Sequence, residues 1–194
     1  IIEALHSGKR VIVEHFDLIY PLLGFNANLL IGVGEQVLVA RPTLFGPEPD
    51  EIKDAVYNSL HYRLMAHTAE DLCEMFMPND ELVRCSHGDV RHGVIMSFPG
   101  HAPEFDLTEL EKKVNEVIGK ELPVGYVDEN HMSIGGELHV CTGPRTHVSN
   151  TGKIKGFKLL NHFIYDSMKK CYLMVGSVGE KSEENLQKLD TMIK

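Results

Sequence analysis

Apolar residues recur at helical spacing over residues 51–77. Ile52, Val56, Leu60 and Leu64 step by four, and Ala69, Leu72, Cys73 and Phe76 continue the stripe. This predicts one long helix with a buried face, ended by Pro78-Asn79-Asp80. A second stripe, Leu107, Leu110, Val114 and Val117, predicts a helix opened by Asp106, with Glu109 in capping-box spacing, and closed by Gly119. A third, Leu186, Leu189 and Ile193, predicts a helix over 182–193, and residues 1–10 read as a short helix ending at Gly8. Elsewhere the pattern changes to β-branched and aromatic runs. RVIVEHFDLIY (10–20) reads as a strand stopped by Pro21, and LLIGVGEQVLVA (29–40) as strand, turn and strand. Residues 94–98, 123–127, 137–141, 157–165 and 170–175 read as further strands, with Gly135-Gly136 as a turn.

Strands and helices in this order lack the regular alternation of a doubly wound fold. They predict an α+β protein, an antiparallel sheet packed with helices. RPTLFGPEPDE (41–51), with three prolines and a glycine, reads as a boundary. It divides a small β-rich segment, 1–50, from a main domain, 51–194.

The chain has 194 residues, 43% of them hydrophobic and 24% charged, enough to bury a core. Its net charge of −9 excludes a module that grips nucleic acid by bulk positive charge. A local basic patch around Arg145, Lys153, Lys155 and Lys158 stays open. No apolar run reaches the ~20 residues of a membrane span, and the first residues lack the order of a signal peptide. The start at Ile suggests an excised or processed piece. Cys73, Cys85, Cys141 and Cys171 form no CxxC pair and read as reduced thiols of a cytoplasmic protein. The glycines at 24, 32 and 34 carry no phosphate-loop or dinucleotide spacing and read as turns. Cys85, Ser86, His87 and His92 read as an exposed loop in preference to a metal cluster.

Two segments carry candidate chemistry. His67 and Asp71 lie four apart on the long helix, so they project within ~40° of each other and can offer two ligands to one ion. His61, six residues before His67, points ~120° away. In HVCTGPRTHVSNTGKIKGFKLL (139–160), Cys141 and His147 bracket a Gly-Pro turn that can bring imidazole back toward thiolate, donors that zinc prefers. His139 shares a strand face with Cys141 and is an alternative ligand.

YRLMAHTAEDLCEMF (62–76) resembles the HTAxHLL helix of the editing domains of alanyl- and threonyl-tRNA synthetases and of free-standing alanyl-tRNA editing proteins. CTGPRTHVSNTGKIKGFKLL resembles their second motif. GVIMSFPG, DLTELEKKVNEVIGKELPV and the ending KKCYLMVGSVGEKSEENLQKL follow in the same order, so the likeness covers about 51–194. The resemblance implies an editing-type fold with a zinc ion held by His67, Asp71, Cys141 and His147. It implies Asn150, Thr151 and Gly152 beside the site, and the aminoacylated acceptor end of tRNA as partner. The sequence departs from the family at three places. Asp71 stands for a second His, the Cys–His spacing is two residues longer with Arg145-Thr146 as the insertion, and His139 replaces an acid.

The expected activity is zinc-dependent hydrolysis of mischarged aminoacyl-tRNA, with His61 and His139 as candidate proton handlers because imidazole titrates near neutrality. The alternatives are a non-catalytic zinc-binding module of the same fold and a metal-dependent hydrolase of a smaller ester or amide. A homodimer and a longer parent chain are both left open.

Overall fold

A computed structural model of the chain describes residues 1–34, 37–88, 93–141, 143 and 146–193. The expected Arg145 and His92 lie outside the described residues. The chain divides into two compact units, Ile1–Ser59 and Leu60–Lys194, so the division falls within the long helix.

The first unit holds α1 (Ile2–His6), α2 (Phe16–Leu23), a hairpin of β1 (Leu30–Val33) and β2 (Val37–Ala40), and the start of α3 (Pro49–Glu74). α2 corrects the strand expected over 10–20. Asp17 in its first turn favours the positive helix end and is held by Lys53 at 2.7 Å, and Gly24 at φ +73° closes it. Those helix signals prevail over the β-branched run, and Pro21 is accommodated inside the helix. Gly32 is likewise not a turn residue. It lies within β1, where a Cβ would come within 2.6 Å of the Ile52 side chain, so its bare backbone lets the hairpin lie against α3. Ile31 pairs with Val39 and Val33 with Val37, and all four side chains are exposed.

The second unit contains the core. Here α3 is buried nearly all round, through Met65, Ala66, Ala69, Leu72 and Cys73. Leu60, expected on the buried stripe, is exposed. After α4 (Asn79–Arg84) comes an antiparallel sheet of β3 (Ser86–His87), β4 (Gly93–Pro99), β10 (Cys171–Ser177) and β8 (Lys158–Leu159), with β9 (Ile164–Asp166) also on β10. The expected exposed loop at 85–87 thus includes a short edge strand. Seven residue pairs join β4 to β10, from Cys171 opposite Pro99 to Ser177 opposite Gly93. Along β4, Val94, Met96 and Phe98 alternate into the core, as a half-buried strand requires.

Helix α5 (Leu107–Gly119) buries the four predicted residues. Asp106 caps it, accepting hydrogen bonds from the Thr108 and Glu109 amides at 2.8 and 3.2 Å. A second sheet, β5 (Val124–Asp128), β6 (His131–Ile134) and β7 (Glu137–Val140), includes one strand beyond those expected. Met132 and Ile134 of β6 enter the core. Helix α6 (Ser182–Ile193) closes the chain. The architecture is α+β, with antiparallel sheets packed with helices. Among the described residues no helix is long and apolar enough to cross a membrane.

Candidate metal centre

The site joins the second half of α3 to the segment that follows β7. His67 and Asp71 come from consecutive turns of α3, as their spacing requires. Cys141 follows β7 directly, its amide hydrogen-bonded to the Asn130 carbonyl at 2.9 Å. Thr146-His147-Val148 returns toward the helix. One ligand atom from each of His67, Asp71, Cys141 and His147 lies within 4.8 Å of those of the other three. Cys141 Sγ is 3.7 Å from Nε2 of His67 and 3.7 Å from Nε2 of His147. Nε2 of His147 meets Oδ2 of Asp71, and the two imidazoles stack with centroids 4.5 Å apart.

Three further residues hold this arrangement: Thr68, which the sequence did not single out, and Gly143 and Thr146, which it offered only as a turn residue and an insertion. Thr68, the neighbour of His67, donates its hydroxyl to the Leu64 carbonyl at 2.8 Å and accepts the Val148 amide at 3.0 Å. Thr146 Oγ1 touches Nδ1 of His67 and donates to the Gly143 carbonyl at 2.7 Å. The Gly143 amide donates to Cys141 Sγ at 3.3 Å. Gly143 has no space for a side chain, because a Cβ would lie 2.8 Å from Cε1 of His67. No sequence spacing marks Thr68, Gly143 or Thr146 as site residues. Their roles appear only when the two segments meet.

Burial shifts two of the donors, His67 and Cys141. It lowers the basicity of His67, outweighing the attraction of Asp71, so the ring favours its neutral, electron-donating form. Burial, reinforced by the Asp71 charge, pushes the Cys141 thiol up to about 12. A cation among the four would reverse that shift by stabilising thiolate, so sulfur, two imidazoles and a carboxylate make a chemically coherent metal-binding set.

The other expected site residues have separate environments. His139 is half-buried on β7, and its Nε2 is buried without a hydrogen-bond partner. His61 is half-buried on α3 and is not part of the quartet. Asn150 caps a 3-10 turn, Thr151–Lys153, by accepting the Gly152 amide at 2.8 Å. Thr151 is fully buried; its hydroxyl donates to the Val117 carbonyl at 3.0 Å and accepts the Leu122 amide at 2.9 Å. Thr151 is therefore engaged in tying α5 to this turn. Gly152 is half-buried. Lys153, Lys155 and Lys158 are exposed, with Lys158 paired to Glu111 at 3.0 Å.

Near the quartet, His87 Nδ1 lies 3.1 Å from Glu70 and 3.3 Å from Glu74, and Glu70 is buried. Burial raises the Glu74 carboxyl to about 7, with His87 partly opposing the shift. All four cysteines are free thiols.

Fold and site together define an α+β protein with a His/Asp/Cys/His group that could bind a metal ion. No family model matches the chain, and comparison with curated proteins and with solved structures finds no significant match.

Proposed function

We propose that the chain carries an editing-type aminoacyl-tRNA deacylase domain in which His67, Asp71, Cys141 and His147 hold a zinc ion. The convergence of these four donors, from segments seventy positions apart at their nearest ligands, carries the reading. Nitrogen, sulfur and carboxylate ligands in a tetrad suit zinc. The resemblance of residues 62–76 and 141–160 to the two editing motifs supplies the substrate class, an ester between an amino acid and a tRNA ribose. Bound zinc would supply Lewis acidity or a more acidic water. His139, with a ring nitrogen free of hydrogen bonds, can take or return a proton, and His61 is the second candidate. Exposed Lys153 and Lys155 follow Gly152 and offer local positive charge to a nucleic-acid backbone despite the net charge of −9. The free thiols accord with the expected cytoplasmic setting.

A second reading, the non-catalytic zinc module, is favoured by the closed donor set. The side chains of His147 and Asp71 are only 4% and 10% exposed, and structural zinc sites use four protein ligands whereas catalytic ones keep a position open. Metal analysis combined with hydrolysis of mischarged tRNAs, with and without chelator, separates the readings. Stoichiometric zinc and chelator-sensitive turnover support the deacylase. Zinc without turnover supports the module, and absence of zinc overturns both. Turnover of small esters alone would redirect the assignment to a smaller substrate.

A further inference from the structure

Thr146 has one hydroxyl proton and two close polar neighbours, the Gly143 carbonyl and Nδ1 of His67. The carbonyl can only accept, so the contact at 2.7 Å uses the Thr146 proton. Toward His67 the same oxygen must then act as acceptor, and Nδ1 must carry hydrogen. The opposite assignment, with Thr146 donating to Nδ1, would leave two acceptor oxygens facing each other at 2.7 Å. One proton arrangement satisfies both contacts, and it leaves the lone pair of His67 on Nε2. That nitrogen is the one 3.7 Å from Cys141 Sγ, on the side of the four-donor cluster.

The Gly143 carbonyl is itself held in place. It also accepts the Thr146 amide at 3.0 Å, so the amide and the hydroxyl of one residue converge on a single carbonyl. The absence of a side chain at Gly143 gives the imidazole room to approach Thr146. The relay therefore runs from a backbone carbonyl, through one hydroxyl, to the far nitrogen of a candidate ligand.

We infer that Thr146 is a positioning residue, which fixes His67 as the Nδ1–H tautomer and aims its Nε2 lone pair at the metal centre. Its place in the metal centre rests on the zinc reading above, whereas the tautomer can be observed without metal. Outer partners of this kind typically change metal affinity by ~10- to 100-fold when removed.

The test compares wild type, Thr146→Val, which keeps the shape and removes the hydroxyl, and Thr146→Ser, which keeps the hydroxyl. Long-range proton–nitrogen correlation spectra of metal-free protein should show His67 protonated on Nδ1 in wild type and Thr146→Ser, and a mixture of tautomers in Thr146→Val. Zinc competition titrations should show ~10-fold or greater weakening in Thr146→Val, with Thr146→Ser within a few-fold of wild type. The visible spectrum of the cobalt(II)-loaded protein should shift only in Thr146→Val. A wild-type His67 protonated on Nε2 overturns the inference, as does a Thr146→Val protein with unchanged tautomer, zinc affinity and cobalt spectrum. A wild type showing the Nδ1–H tautomer but taking up no zinc supports the proton relay and overturns the metal reading alone.

Discussion

Thr68 and Val148, eighty positions apart, are joined by one buried hydrogen bond in which the Val148 amide donates to Thr68 Oγ1 at 3.0 Å. Since Thr68 follows His67 and Val148 follows His147, this bond ties together the two stretches of backbone that carry the candidate histidine ligands. Thr68→Val preserves volume and leaves the Val148 amide without an acceptor. It should lower unfolding stability by about 1–3 kcal/mol and weaken metal binding, measured by urea denaturation and zinc titration. Thr68→Ser should recover most of both losses.

Removing a donor should remove the ion. Cys141→Ala takes away the sulfur at the centre of the quartet, and Asp71→Ala the carboxylate against His147. Each should reduce bound zinc from about one equivalent to well below half after buffer exchange. Chelation should lower the wild-type melting temperature through lost binding to the native state, and should leave that of Cys141→Ala unchanged.

A single methyl group at position 143 should act on the same centre. The Cβ of Gly143→Ala would stand 2.8 Å from Cε1 of His67 and 3.0 Å from Oγ1 of Thr146. The imidazole must then shift from its turn. Zinc affinity should drop by ~10-fold or more, with the far-ultraviolet circular dichroism unchanged.

Glu74 provides a pH signature of stability. Its carboxyl lies at about 7 in the folded chain against an ordinary 4.5, mainly through burial. Between those values the native state holds the extra proton, so this group's contribution to stability falls as pH rises from 4.5 to 7 and stays low above. Glu74→Gln should therefore melt higher than wild type at pH 8, with the gap closing as pH falls toward 4.5. A gap that widens on acidification would contradict this.

Local rules were sufficient where neighbours in the chain decide the structure. Asp106 and the stripe Leu107, Leu110, Val114 and Val117 announced α5, because cap and buried face lie within a few turns. The spacing of His67 and Asp71 placed both on one side of α3 for the same reason. Residues 10–20 misled because a short β-branched run resembles a strand, while Lys53, the partner of Asp17, and the positive φ of Gly24 lie beyond its end. Gly32 was read as a turn because its need for bare backbone comes from Ile52, twenty residues later. The convergence of His67 with Cys141 followed from a likeness between motifs and not from local pattern. Thr68 and Thr146 were illegible because an isolated threonine carries no signal until topology brings it an amide or an imidazole.

Among the described residues of Ile1–Ser59, Leu30 is the one large hydrophobic side chain that is buried, and it keeps 6% exposure, whereas Val94, Met96, Phe98 and Met174 of β4 and β10 are all completely enclosed. So uneven a distribution gives the chain two clocks. Amide protons of the N-terminal hairpin should trade with deuterium long before those of the central strands, and a protease added in trace should make its earliest cuts in that opening unit.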